Sequence, residues 1–199
     1  MNKNYCIYGA SGHSKVIVEI IEKSGNFIKG LYDDDPAKKS LLNYKVVSDK
    51  GVLSIPDAEW LIAIGNNVVR KKIATENSLL YGIAVDVNSH ISKTTEVGIG
   101  TVVMPGVTIN SSTVTGKHCI INTNASVDHD CVLGDYVHIS PNATLCGGVI
   151  IGEGTHVGAG SVIIPGIRVG QWATIGAGSV IIKDVPDHVT IVGNPGRII

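Results

Sequence analysis

Residues 133–168 read LGDYVH ISPNAT LCGGVI IGEGTH VGAGSV IIPGIR, six hexads that each open on Leu, Ile or Val. The same step of six runs without an insertion from Val85 to Ile181, through Ile91, Val97, Val103, Ile109, Ile121, Val127, Leu133, Ile139, Leu145, Ile151, Val157, Ile163, Val169 and Ile175. Only Thr115 breaks the aliphatic column. Three residues on from each aliphatic the chain favours turn residues, as at Gly100, Gly106, Ser112, Asn124, Asp130, Asn142, Gly148 and Gly154. Four residues on, the side chain is small or β-branched, as at Thr101, Ala125, Cys131, Ala143, Ser161 and Ala173.

A period of six suits neither a helix of 3.6 nor a hairpin sandwich with turns every 8 to 12 residues; it suits a short strand and a tight corner, repeated. Three strands and corners close one triangular coil of eighteen residues. Coils stacked at about the 4.8 Å strand spacing then bury the aliphatic column as a ladder, so no hexad has to fold alone. On these hexads the stretch resembles the hexapeptide-repeat acyltransferases, and that resemblance implies a left-handed parallel β-helix. The general preference for right-handed crossovers points the other way.

Composition narrows the rest. The 199 residues leave room for two domains, and a net charge of -1 argues against a partner held through nucleic-acid phosphates. Aromatic residues make up 5%, as expected for a narrow interior filled by Ile and Val. No apolar run reaches the roughly eighteen residues that a membrane span requires. The first residues are polar and show no signal pattern. Cys6, Cys119, Cys131 and Cys146 lack metal-ligand spacing and read as reduced thiols of a cytoplasmic protein.

Upstream of the hexads the pattern changes. A strand candidate over 5–8 leads into Gly9-Ala10-Ser11-Gly12-His13, then a helix over 14–24 closed by Gly25, and a strand over 27–32 ending in Asp33-Asp34-Asp35-Pro36. A third strand, over 60–64, ends in Gly65-Asn66-Asn67 and feeds a helix over 68–78 carrying Arg70, Lys71 and Lys72. This is a Rossmann-like βαβαβ order, expected over residues 1–82, with the β-helix over 83–199. The third glycine of the dinucleotide fingerprint is missing, so no nicotinamide cofactor is expected. What remains is a row of backbone N–H groups at a helix start, suited to a phosphate or a hydroxyl-rich ligand. The basic trio meets a diphosphate or lines a solvated helix face.

The segments Tyr8-Gly9-Ala10-Ser11-Gly12-His13, Asp33-Asp34 and Ile62-Ala63-Ile64-Gly65-Asn66-Asn67, followed by hexads, resemble the NeuD-type sugar acetyltransferases, and within them the PglD-like group. The resemblance implies that the first domain holds a nucleotide-linked amino sugar through Ser11, Gly12, His13, Asp33, Asp34 and Gly65; Arg70, from the basic trio, is a further candidate. It implies acetyl-CoA as co-substrate and a homotrimer with active sites between subunits.

Within the hexads, His129 stands between Asp128 and Asp130. A carboxylate on one ring nitrogen sets the tautomer and raises the basicity of the other, as a general base requires. The resemblance gives His129 that role, with Asp130 as its orienting partner, and the residues leave Asp128 open as the alternative. One coil on lies Gly147, whose N–H is placed to receive the oxyanion of a thioester under attack. His138 stacks over His156 and then Thr174, a spacing open to zinc but short of a third ligand, so no metal is expected. The resemblance assigns His138, Ala159 and Ala177 to the acyl donor, and the closing Val192-Gly193-Asn194-Pro195-Gly196-Arg197 to the end of the coil.

The expected activity is N-acetylation of the 4-amino group of a UDP-linked 4-amino-4,6-dideoxy sugar in bacterial glycan biosynthesis, by direct transfer from acetyl-CoA. The alternatives are O-acetylation of sialic acid or another sugar, or N-acetylation of a GDP-linked amino sugar such as GDP-perosamine.

Overall fold

A computed structural model describes residues 2–49, 55 and 57–199. The N-terminal part runs β1 (Asn4–Tyr8), α1 (Gly12–Lys23), β2 (Phe27–Tyr32), β3 (Ser40–Leu41), β4 (Tyr44–Val47), β5 (Glu59–Ile62) and α2 (Asn67–Glu76). Its sheet has the order β3-β4-β2-β1-β5, parallel except for the β3–β4 pair. Both helices start earlier than expected. α1 takes Gly12 and His13 into its first turn, and α2 begins at Asn67 because the Asn66 side chain accepts the Val69 amide at 3.0 Å. Ile17, Val18, Ile20 and Ile21 bury the inner stripe of α1.

From β6 (Ala84–Val85) to β22 (Val180–Ile181) the chain is a left-handed parallel β-helix of two-residue strands six residues apart. Its three sheets are the faces of a triangular prism. The first face starts its strands at His90, Thr108, Ser126, Thr144, Val162 and Val180; the second at Glu96, Val114, Val132, Ile150 and Arg168. The third starts at Ala84, Val102, Ile120, His138, His156 and Thr174, and is closed by β23 (Thr190–Val192) and β24 (Arg197–Ile198). Each strand pairs with the one eighteen residues on, as Val127 with Leu145 and His138 with His156.

The aliphatic column faces inward: Val103, Ile109, Ile121, Val127, Ile139, Leu145, Val157 and Ile163 are all inaccessible. The small column, Cys119, Cys131 and Ala143 among it, shares that interior. Thr115, the one polar residue in the aliphatic column, is buried, and its Oγ1 accepts only a long 3.3 Å bond from the Gly98 amide. That amide also donates to the Thr115 carbonyl at 3.1 Å. Thr115→Val is therefore expected to leave stability within about 1 kcal/mol of wild type, on the stabilising side. A thermal unfolding midpoint clearly lowered in the variant would contradict this reading of the column.

From Gly100 to Gly178 every corner places one residue at positive φ, and Gly, Asn, Asp or Ser fills most of these positions. One edge departs from that rule. Between the second and third faces three of the five such positions are held by His118 (φ 53), Tyr136 (φ 60) and Trp172 (φ 52), bulky residues for which this backbone is costly, and the other two by Gly100 and Gly154. His118 stacks on Tyr136 with ring centroids 5.4 Å apart, and Trp172 lies over Gly154, where a Cβ would collide with it. α2 docks on this edge. Asn67 Nδ2 donates to the Gly154 carbonyl at 3.0 Å, and Lys71 pairs with Glu153 at 2.5 Å while lying 5.2 Å from the Trp172 ring. The aromatic corners thus form the seat of the N-terminal part, and one buried apolar cluster runs through both parts.

Candidate active site

His129 lies at the corner between the first and second faces, which is the vertex opposite the third face. Its Nδ1 and Asp130 Oδ2 are 2.7 Å apart, so the carboxylate fixes the proton on Nδ1 and leaves Nε2 with its lone pair. Asp130 reaches the ring from a left-handed backbone position, φ 58, that the turn demands and Asp tolerates. Asp128 plays another part. Its Oδ1 accepts the His129 amide at 2.8 Å and Asn110 Nδ2 at 2.8 Å, and its Oδ2 stands 3.9 Å from His129 Nε2.

The geometry therefore separates the two acids: Asp130 orients the ring, and Asp128 supplies charge on the Nε2 side. The Asp130 hydrogen bond, then the charge of Asp128, holds the His129 pKa above its usual 6.5. Asn110, one coil back, together with the His129 amide, holds Asp128 below the usual carboxylate value. Asn110 was not legible as a site residue, although its spacing of eighteen from Asp128 marks it as the coil neighbour.

Gly147 is the floor of this site. A Cβ there would lie 2.6 Å from His129 Cε1 and 2.8 Å from Nε2, so the ring rests on space that only glycine leaves. The neighbouring Gly148 amide is spent on the His129 carbonyl at 2.9 Å. The Gly147 amide donates to no backbone carbonyl among the described residues, and helps to hold Asp128 ionised.

Ser11, Gly12, His13, Asp33, Asp34 and Gly65 follow the carboxyl ends of β1, β2 and β5, and between β1 and β5 the strand order changes direction and such sheets open their crevice. Most amides of the Gly-rich turn are already used. Gly9 donates to the Tyr32 carbonyl at 2.7 Å, Ala10 to Asp33 Oδ2 at 2.7 Å, and Ser11 to Ser14 Oγ at 3.3 Å. Asp33 is buried and also accepts Lys38 Nζ at 2.8 Å and the Asp35 amide at 3.0 Å. Burial would raise its pKa, but the Lys38 and backbone hydrogen bonds prevail and lower it. Asp33 is thus a brace of the turn. Asp34 is exposed, its two oxygens accepting Tyr8 Oη at 2.8 Å and Tyr32 Oη at 2.7 Å, beside a cavity of about 380 Å³. Gly12 and Gly65 border open space, with nothing within 4 Å of a Cβ built on either.

His138 and His156 stack with ring centroids 4.8 Å apart on the third face. Their Nε2 atoms are 3.1 Å from Asn122 Nδ2 and 2.7 Å from Ser140 Oγ respectively. Burial, then His156 and the Arg70 charge, pushes His138 down to about 3. Burial and Arg70 push His13 to about 4. Both rings are thus held neutral, and His138 lines a cavity of about 500 Å³ that runs past Gly65, Asn66, His156 and Trp172. Ala159 and Ala177 are exposed, one coil apart, on the corner between the third and first faces.

Arg70 is not at the surface. It is 1% exposed, and its guanidinium donates to the carbonyls of His118, Ile64, Gly65 and Tyr136 and to Asn67 Oδ1, at 2.8 to 3.2 Å. A role in direct contact with substrate, or on a solvated helix face, is replaced by one inside the junction of the two parts.

Residues 4–77 match the family described as PglD N-terminal domain, and residues 112–147 and 148–183 match bacterial transferase hexapeptide (six repeats). A solved mutant of perosamine N-acetyltransferase from Caulobacter crescentus, in complex with CoA and GDP-perosamine, is 34% identical with a TM-score of 0.94, over 100% of this chain and 97% of that one. The acetyltransferase domain of PglB from Neisseria gonorrhoeae FA1090 is 32% identical with a TM-score of 0.92, over 100% of both. This chain belongs to the hexapeptide-repeat acetyltransferases of the PglD type. A curated member of that family, UDP-N-acetylbacillosamine N-acetyltransferase of Bacillus subtilis (strain 168), is 42% identical over 112 residues, 51% of each chain. The match thus spans about half of that relative's length. Among the described residues no helix of this family member is long and apolar enough to cross a membrane.

Proposed function

We propose that this chain transfers the acetyl group of acetyl-CoA to the amine of a nucleotide-linked amino sugar. His129 Nε2 takes the amine proton as nitrogen attacks the thioester carbonyl, Asp130 steadies the imidazolium, and the Gly147 amide, which faces Asp128 in the chain alone, turns to meet the oxyanion. The tetrahedral intermediate collapses with loss of the CoA thiolate, which leaves as thiol with the proton from His129. The observation that carries this reading is the ring of His129, tethered at Nδ1, free at Nε2 and seated on Gly147.

Ser11, Gly12, His13, Asp34 and Gly65 form the acceptor crevice in this reading, with Asp33 bracing the turn. His138, Ala159 and Ala177 take the acyl donor. The crevice opens beside the third face, whereas His129 occupies the opposite vertex of the same prism. One chain therefore cannot bring its own crevice to its own base, and a homotrimer with sites between chains supplies both. The apolar stripe of Val114, Val132 and Ile150 along the second face, beside the His129 corner, suits such packing.

For the acceptor, the GDP-linked alternative has better support than the UDP-linked sugar expected first. The relative bound to GDP-perosamine matches over the whole chain, and the UDP-sugar enzyme over 51%. The UDP-linked sugar remains the second reading because that shorter match has the higher identity, 42%. Free-thiol release from acetyl-CoA should be followed with GDP-, UDP- and CMP-linked amino sugars. Turnover is expected with a GDP-linked amino sugar, and Asp34→Asn is expected to raise its KM about tenfold with kcat less affected. Turnover only with sugars lacking a nucleotide would defeat the acceptor assignment.

A further inference from the structure

The buried guanidinium of Arg70 joins four backbone carbonyls and one amide oxygen, and has no carboxylate partner among the described residues. An inaccessible cation without an anion is rare, because desolvation is costly unless the charge is answered. The carbonyls satisfy its hydrogen bonds but leave its charge. Two of its partners, Gly65 and Asn67, also line the cavity of about 500 Å³ beside the crevice. The guanidinium therefore sits directly behind that wall.

Its surroundings are arranged to match. The titratable groups that feel its charge are His13 from α1, His118 and Tyr136 from the second–third edge, Cys119 next to that edge, and His138 and His156 from the third face, while Lys117 and Asp135 face His118. Burial and the Arg70 charge lower all four histidines, three of them to about 4 or below. Three ring nitrogens in this group, His13 Nε2, His118 Nδ1 and His138 Nδ1, are buried without a hydrogen-bond partner. The region thus carries one permanent positive charge, neutral imidazoles and unmet hydrogen-bonding capacity.

We propose that Arg70 is a positioning residue of the acceptor site: it clamps the turn at Ile64 and Gly65 onto the coils and lends the crevice a fixed positive charge that the ligand's diphosphate neutralises. It acts through the wall and through His13 and His138, without touching the ligand. The diphosphate half of this proposal rests on the nucleotide-sugar reading above; the clamp and the neutral histidines do not.

The test uses the intact protein with Arg70→Met, which removes the charge, and Arg70→Lys, which keeps it but loses the fork. Side-chain NMR titration of the histidines is read first, without substrate. In Arg70→Met, His13 and His138 are expected to titrate at higher pH than in wild type; in Arg70→Lys they stay low. Binding of GDP and UDP by calorimetry, and KM for the nucleotide sugar, are expected to weaken about tenfold in Arg70→Met and less in Arg70→Lys, while KM for acetyl-CoA stays within about twofold.

Unchanged histidine titration in Arg70→Met overturns the proposal, as does an equal rise in both KM values. If Arg70→Met does not fold, histidines in Arg70→Lys that titrate with normal values overturn it equally. Wild type that binds neither nucleotide defeats the nucleotide-sugar reading and with it the diphosphate half, while the titration still decides the clamp.

Discussion

His129→Gln is expected to lower kcat by about 10²- to 10⁴-fold, the range lost when a positioned general base is removed. KM for acetyl-CoA should change little, since the glutamine retains the bulk above Gly147. The pH profile gives the sign of the effect. Asp130 and Asp128 hold the His129 pKa above 6.5, so the protonated, inactive ring persists to higher pH than for a free imidazole. Activity should therefore rise with pH through a midpoint above 6.5. In Asp130→Asn that midpoint moves down, and the rate on the plateau falls because a weaker base with a looser ring remains. A flat profile between about pH 6 and 8, together with a loss below about threefold in His129→Gln, would remove His129 from the chemistry.

The second large effect comes from a single methyl group. Gly147→Ala places a Cβ 2.6 Å from His129 Cε1, closer than real contacts allow, so the exposed ring must swing aside. Gly147 is not among the positive-φ positions, so the backbone accepts alanine and the strain falls on the imidazole alone. The expected outcome is a fall in kcat of about 10- to 100-fold with the unfolding transition almost unmoved, since small displacements of a catalytic group carry large penalties. A crystal structure of the variant with the ring in its original place, or full activity, would show that the seat is unimportant. Gly148→Ala serves as the contrast: it sits at φ 70 with no heavy atom closer than 4.0 Å, so it strains the backbone without touching the ring.

Counting by six located both partners of this site in advance. Positions eighteen apart became coil neighbours, and so His129 met Gly147 and His138 met His156. The edge of His118, Tyr136 and Trp172 was not legible in that way. Turn chemistry anticipates glycine or asparagine at a left-handed position, and aromatic residues take it only where a docking partner covers them. Arg70 was hidden for the same reason. Its acceptors at His118 and Tyr136 lie 48 and 66 residues downstream, and no local pattern announces a cation enclosed by carbonyls from a second structural unit. The starts of α1 and α2 were also displaced. In α2 the side chain of Asn66 caps the helix, which brings Asn67 into its first turn.

The triangular cross-section also governs which length changes the chain can absorb. Six extra residues would turn everything after them by one side of the prism, carrying a functional corner to a different flank while leaving the interior apolar. Eighteen would restore the orientation and merely lengthen the column by one rung, about 4.8 Å. Insertions in this architecture therefore come in discrete sizes with qualitatively different outcomes, and intermediate sizes must bulge outward at a corner.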